Sequence, residues 1–438
     1  MSPLVEQIRH VCSLGALQSV LAIDRAIPIL HAGPGCGQKL WGAIGVENGC
    51  QGSGYAGGHT VPCTNIGEKE VIFGGEERLR RTVENTFKVI DGDFFVVLTG
   101  CTSDIIGDDV SKVVGEFQEQ GKPIVYAETG GFKGSNFFGH ELVIDAIIDQ
   151  YLRPAEKIEQ GLVNIWSVVP FQDPFWVGNL KAIEKLVAEI GLKPNSIFGP
   201  GKGVKEINNI PKAQFNLLLS PWVGLKNVKR LKEKFATPYL HYPVLPIGPT
   251  ETGRFLRTLG DYAGLDQKKI EKIIERHEDD YYYYIERTAD ILLETRLLPR
   301  RFVTVADSIF TLAIAKFLVN DLGLLPEKQF ITDGVNPEFH EDIRKEFQNF
   351  NDGITGEVLF SSDGGWVQEE IRGIRFRGRP LILGSAWERV LGAEINAYHL
   401  SIAMPVSDRM ILNRTYVGYD GALRLVEDIY SLVLDDFQ

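Results

Sequence analysis

No cysteine follows residue 101 of this 438-residue chain; all five, Cys12, Cys36, Cys50, Cys63 and Cys101, lie in its first quarter. That distribution excludes a disulfide framework spread over the molecule, and in a reducing compartment such thiols are not structural disulfides. Basic residues are in deficit too: 46 Lys and Arg stand against 58 Asp and Glu, a formal net charge of −12. With no basic stripe, nucleic acid is not an expected partner. Long apolar runs are missing, because charge interrupts each one before the roughly 20 residues a membrane span requires. The opening "MSPLVEQIRH" lacks a signal-peptide pattern, so a cytoplasmic protein with no membrane partner is expected. Short repeats and low-complexity segments are also absent, which removes solenoid architectures.

What is present is an ordinary globular composition, 44% hydrophobic and 24% charged. The length predicts two or three domains. Short runs rich in β-branched residues alternate with helical patterns: "AIPILHA", "FFVVLTG" and "PIVYAE", then "VNIWSVV" and "QFNLLLS", then "RFVTVAD", "EVLFSS" and "RPLILG". This rhythm predicts an α/β chain of three doubly wound, Rossmann-like domains with parallel sheets. Residues 268–296 show apolar positions at three- and four-residue steps without Pro or Gly, which predicts one long helix between the second and third domains. The expected divisions are 1–155, an N-terminal domain carrying the cysteines; 156–297, a middle domain ending in the long helix; and 298–438. The run "YYYY" at 281–284 is expected to pack between domains on several sides of that helix.

In open α/β sheets, ligands sit beyond the carboxyl ends of strands. Cys36 follows "AIPILHAG" and Cys101 follows "FFVVLTG", so two βα loops of one sheet are expected to bring their thiolates toward one point. Cys12, in "HVCSLGAL", comes from the segment before the first strand. Gly33, Gly35 and Gly37 around Cys36 leave room for backbone to approach a bulky inorganic group and aim N–H donors at its sulfides. A metal or iron–sulfur site is therefore expected, although five small buried residues can also cluster by chance. The glycines complete neither G-x-G-x-x-G nor G-x-x-x-x-G-K-S/T, so nucleotide binding is weakly supported. Three thiolates are one short of a four-cysteine set. Either Cys50 or Cys63 supplies the fourth, or another subunit completes the cluster.

Taken in order, "CSLGA" at 12–16, "HAGPGCGQ" at 31–38, "EKEVIFGGEERL" at 68–79, "GCTSDIIGDDV" at 100–110, "GFKGSNFFGHE" at 131–141, "LPIGPTETGRFLR" at 245–257 and "DRMILNRTYVGYDGA" at 408–422 resemble the nitrogenase component 1 superfamily of α and β subunits and their assembly relatives. The resemblance runs through nearly the whole chain. It implies that Cys12, Cys36 and Cys101 hold half of an iron–sulfur cluster, an 8Fe–7S P-cluster type or a 4Fe–4S group, shared with a partner subunit. It also implies that Gly33, Gly35 and Gly100 give the backbone room. Cys63 has no matching position and Cys50 sits in a Gly-rich loop, and both read as buried or free thiols.

At the family's two cofactor-ligand positions in α subunits this chain has Ser220 and Asp408, neither of them a good ligand for that cofactor, and "DR" with "GYDGAL" resembles β-type subunits. His140 matches an α-type histidine beside the cofactor that relays protons, and reads equally as a capping or packing residue. Some β subunits supply a serine cluster ligand where this chain has Gly131. Asp108 and Asp109 read as carboxylates at a helix start. Lys202 falls in a β-to-α turn, and "SSDGGW" opens a helix.

The resemblance implies a β-type subunit of a nitrogenase-like oxidoreductase that relays electrons from an ATP-dependent iron protein through the shared cluster to a cofactor in a homologous α-type subunit, the whole an α2β2 heterotetramer. No catalytic residue is assigned to this chain. The alternative is an assembly scaffold on which an iron–sulfur cofactor precursor matures; scaffold chains often lose some of the three cysteines, and this one keeps all three.

Overall fold

The structure is a computed structural model that describes residues 6–55, 57, 60–295 and 298–435. Three sheets run through it, and every strand pairing within them is parallel. The first contains β1 (Ala26–His31), β2 (Phe94–Thr99) and β3 (Ile124–Ala127) in that order. The second has β4 (Glu159–Trp166), β5 (Lys193–Asn195), β6 (Ala213–Leu219) and β7 (Tyr239–Tyr242), ordered 5-4-6-7. In the third, β8 (Arg301–Ala306), β10 (Gln329–Ile331), β11 (Val358–Phe360), β12 (Leu381–Gly384) and β13 (Tyr398–Ser401) lie in the order 11-10-8-12-13, with the two-residue β9 (Leu325–Pro326) paired to β8.

The eight apolar runs picked out in the sequence all contain strands. β5, β7, β10 and β13 escaped notice because segments of three or four residues carry too little periodicity. Every residue of β1 and β2 is buried, as expected of parallel strands covered on both faces. On one face Ile27, Ile29, Phe95 and Val97 pack under the helices Glu76–Val89 and Val110–Glu119. On the other, Ala26, Leu30, Phe94 and Leu98 join a single large core that continues through β4, β6, β8 and β12.

In the first sheet the three strands lie in chain order, and the doubly wound reversal at β1 comes from a segment too irregular to count as a strand. Residues 62–66 are that segment and run beside β1 along the sheet's free edge: Leu30 donates to Pro62 O at 2.8 Å, Thr64 to Leu30 O at 2.9 Å and Ile66 to Ala32 O at 3.0 Å.

One helix does span Gln267–Thr295, but the tyrosine run is not enclosed. Tyr281 is buried, whereas Tyr282, Tyr283 and Tyr284 are 44%, 53% and 56% exposed. Consecutive helical residues point about 100° apart, so a helix lying on one surface buries only one of four neighbours.

Two features tie the first sheet's helices to the segment before β1. Gly139, in the helix Asn136–Ala146, lies so close to that segment that an added Cβ would stand 2.1 Å from Ser13 O. Gly15 faces it, with its own missing Cβ 2.6 Å from Asn136 Cβ. Gly139→Ala forces these elements apart at a cost of about 1–3 kcal/mol, so the apparent midpoint of thermal unfolding, followed by circular dichroism, falls by several degrees.

Glu141, on the same helix, accepts the Gly224 N–H at 2.9 Å, and burial lifts its carboxyl to about 7. Asp307, which caps the helix Ser308–Asn320, is also raised to about 7, by burial and then by the nearby Asp333. Both groups hold their proton more tightly folded than unfolded. Their contribution to stability is therefore complete below the ordinary carboxylate range and is lost as pH rises through about 7. Urea unfolding of wild-type protein and of a Glu141→Gln, Asp307→Asn double variant, compared at about pH 5 and about pH 8, should show a smaller fall in midpoint for the variant.

Candidate metal centre

β1 and β2 are in register from Ala26↔Phe94 to His31↔Thr99, so the loops leaving their carboxyl ends begin side by side. The ladder continues one step further, with Gly100 N–H donating to His31 O at 2.9 Å. Gly100 then approaches Ala32 so closely that a Cβ would lie 2.6 Å from the Ala32 Cβ. Its small size serves the packing of the two loops against each other rather than an open space beside them. Cys101 follows as the first residue of the helix Cys101–Ile106, and Cys36 lies in the first turn of the helix Pro34–Gly45. Cys12 precedes the 3-10 turn Ser13–Gly15.

The loop after β3 closes the arrangement. A Cβ built on Gly131 would sit 2.9 Å from Cys101 Sγ and 3.1 Å from Cys12 Sγ, so both sulfurs crowd one point on this glycine. Gly131 N–H donates to Cys101 Sγ at 3.1 Å. Ser13 Oγ donates to Thr129 O and Gly130 O at 3.1 and 2.7 Å, and Asn136 N–H donates to Val11 O at 3.0 Å, which fixes the Cys12 segment on either side. Lys133 pairs with Asp104 at 2.8 Å and joins this loop to the Cys101 helix.

Cys36 stands on the neighbouring loop. Around Gly35 no atom lies within 4 Å of the missing Cβ, and around Gly33 only Ile66 O does, at 4.0 Å. Neither glycine adopts a positive φ. What they provide is room beside a thiol. Among the described residues no group of three or more His, Cys, Asp or Glu side chains is placed to hold a metal ion. The chain thus converges two sulfurs and leaves the third on an adjacent, open loop. Cys101 is exposed, as are its neighbours Ile105 and Phe132.

The donor set suits an iron–sulfur group. Soft sulfur donors stand on three segments, each at the start of a helical turn where backbone N–H groups face outward, and Gly131 and Gly35 carry no side chain that a bulky anionic cluster would meet.

Sequence reasoning missed the brace behind these loops. His31 Nε2 lies 2.8 Å from Asp108 Oδ2, with both side chains almost fully buried, and His31 Nδ1 lies 3.2 Å from Thr64 Oγ1. Asp108 Oδ1 accepts the Gly75 N–H at 2.7 Å. Burial lowers the His31 pKa despite the carboxylate beside it. Only Asp109 plays the capping role expected of both residues, accepting the Lys112 N–H at 2.9 Å. Asp108 turns inward instead and ties the end of β1 to the chain leaving the Cys101 helix. A histidine closing an apolar strand was the available signal.

The other marked residues lie apart. Cys63, on the edge segment beside β1, has Sγ 3.5 Å from Ala32 O, and burial raises its thiol pKa. Cys50 is exposed with φ +58°. His140 is buried, with Nδ1 2.7 Å from Ser19 Oγ, and burial lowers its pKa to about 4, as befits a packing residue. Ser220 is buried just past β6, whereas Asp408 is exposed and accepts from Ser401 Oγ at 2.8 Å. Lys202 pairs with Glu184 at 3.2 Å. Asp363 of "SSDGGW" caps the helix Gly364–Arg372.

Comparison with known proteins identifies the family of the chain and its fold. The family model described as "Nitrogenase component 1 type Oxidoreductase" matches residues 12–434. The nitrogenase molybdenum-iron protein beta chain of Methanococcus maripaludis is 25% identical over 463 residues, covering 97% of this chain and 93% of that protein. A subunit of the light-independent protochlorophyllide reductase of Heliobacterium modesticaldum is 25% identical over 438 residues, covering 95% and 77%. Among solved structures, "Nitrogenase Cp1 at pH 6.5" shares the fold with a TM-score of 0.83 at 19% identity, covering 100% of this chain and 95% of that one.

The close approach at Gly131 generates a direct prediction. Gly131→Ala pushes on Cys101 and Cys12 at once, so iron retained per chain after anaerobic purification drops at least severalfold, while far-ultraviolet circular dichroism is unchanged.

Proposed function

The chain belongs to the nitrogenase component 1 type oxidoreductase family, and from that premise we propose that it is the β-type subunit of a nitrogenase-like reductase. In this reading Cys12, Cys36 and Cys101 bind half of a P-cluster type iron–sulfur group, and a homologous α-type subunit supplies the rest in an α2β2 heterotetramer. When bound, that group supplies one-electron redox chemistry at low potential. The observation that carries the proposal is the incomplete ligand set: two thiols converge on Gly131, a third stands on the next loop, and Cys101 is exposed.

The roles of this chain's residues follow from their positions. Gly131 N–H donates to the Cys101 sulfur and so stabilises negative charge on it. Gly33 and Gly35 leave the backbone bare beside Cys36, so the group approaches without steric conflict. The His31–Asp108 brace and the Lys133–Asp104 pair hold the two sides of the site at fixed separation, which keeps reorganisation small when charge changes. By the resemblance, Ser220 and Asp408 stand where α-type chains carry cofactor ligands, which supports a cofactor held by the partner in this reading. An ATP-dependent iron protein is the electron donor in this reading, in the cytoplasm, and the chain divides near residues 155 and 298.

The test is anaerobic co-purification of the tagged chain from its native host, with iron, sulfide and heavier-metal analysis and identification of bound proteins. Recovery of a homologous α-type chain, iron beyond what one four-iron cluster per αβ pair holds, and substrate reduction dependent on an iron protein are the expected results. A complex that reduces nothing but donates its cofactor to a separate apo-enzyme would replace the reductase with an assembly scaffold. Absence of iron would overturn both.

A further inference from the structure

Cys12 is the one cluster thiol that does not follow a strand of the first sheet, and residues 6–9 before it bond to the third unit, while Val11 O accepts the Asn136 N–H of the first. Glu6 and Gln7 donate their N–H groups to Asp363 Oδ2 and Oδ1 at 3.2 and 3.0 Å. Gly364 N–H donates to Gln7 O at 2.8 Å, and Arg9 N–H to Ser362 O at 3.1 Å. These partners lie just beyond the carboxyl end of β11, in the third sheet.

Arg9 then reaches the end of β12. Its guanidinium forms an ion pair with Glu388, the two side chains being 2% and 0% exposed, and donates from Nη1 to Ser385 Oγ at 3.1 Å. The other Glu388 oxygen accepts both the Ser385 N–H and its Oγ–H at 2.8 Å, and the Trp387 ring lies 4.9 Å from the guanidinium carbon. His10, next in sequence, touches all three units. Its Nε2 is against Thr332 O beyond β10, its Nδ1 is 3.4 Å from Gln172 Nε2 beyond β4, and its ring meets Phe137 edge-on at 5.4 Å.

We infer that residues 6–11 form a strap through which the third unit sets the position of Cys12, with Arg9 as the positioning residue that anchors it. Cys12 lies three residue steps from the Arg9 anchor, and three extended steps reach at most about 10 Å. Where Arg9 is held, Cys12 has little freedom. A buried ion pair adds little net stability over apolar packing, but leaving one partner alone is strongly unfavourable, so its effect here is to specify one seating of the strap. Gly364 supports the same conclusion from the other side: a Cβ there would stand 2.2 Å from Arg9 Nε, so the strap lies directly on the first turn of the helix it crosses. The half-site is therefore complete only when the far end of the molecule is in place.

This inference rests on Cys12 being a cluster ligand, and its test separates the two claims. Arg9→Gln, Glu388→Gln, their double variant and Gly364→Ala are purified anaerobically as the complex with the partner chain. Iron per chain and the low-temperature electron paramagnetic resonance spectrum are recorded. The metal-stripped protein is then treated with N-ethylmaleimide, and alkylation at each cysteine is followed by mass spectrometry. The strap predicts alkylation of Cys12 faster by roughly tenfold in every variant, with Cys36 and Cys101 unchanged, and iron lowered with an altered spectrum. The double variant should be no worse than Arg9→Gln alone, because the two residues act as a pair. Unchanged Cys12 alkylation, or an equal rise at all three cysteines, overturns the strap. If Arg9→Gln does not fold, Gly364→Ala gives the same comparison with the ion pair's residues intact. A wild-type complex without iron overturns the ligand assignment, while the alkylation pattern still decides whether the strap sets Cys12.

Discussion

The space between three loops at one end of the first sheet is too small for a methyl group, and the candidate centre depends on that constraint. At Gly131 the two sulfurs occupy the volume a side chain would need, at 2.9 and 3.1 Å from its missing Cβ. At Gly100 and Gly15 neighbouring side chains come closer still, and at Gly139 the backbone of Ser13 does. Parallel strands in register deliver the loops of Cys36 and Cys101 to one edge. Glycine at the contact points lets those loops meet, and a thiol is among the few side chains small enough to fit between them.

Close approach of backbone is costly to maintain unless polar groups are satisfied and the loops are braced. Buried pairs do the bracing here. His31 and Asp108 join the end of β1 to the chain after Cys101, and Arg9 with Glu388 ties the strap before Cys12 to the end of β12. Neither pair faces solvent, so salt screens them little and their geometry persists where a surface ion pair would wander. The remaining charge, −12 in formal net terms, is spread over a surface whose visible ion pairs are mostly exposed.

The proposed half-site accounts for the order that the fold builds around cysteines it leaves partly open. A complete cage would be satisfied within one chain. Two converged sulfurs and a third on an adjacent loop fit the proposed reading, in which a partner completes the set. The family to which the chain belongs, and relatives that are themselves single chains of larger complexes, are consistent with that incompleteness.

Much of this was legible in the amino-acid order, and the limits of what was legible have physical reasons. Alternation of apolar strands with helical segments determined the parallel α/β class, because a strand buried on both faces must be a continuous apolar run. Position after a strand determined where Cys36 and Cys101 would emerge. Strands of three or four residues, the edge segment 62–66 and the exposure of Tyr282–Tyr284 were not readable, since each depends on what lies across the chain rather than along it. The inward turn of Asp108 beside the outward cap of Asp109 is a clear instance: two adjacent identical residues, alike in sequence, part company only because His31 stands 77 positions away on a neighbouring strand. Chain order settles which thiols reach the edge of the sheet, whereas which two of them meet follows from backbone separations at Gly131 and from a strap held by the third unit, neither of which has a local signature.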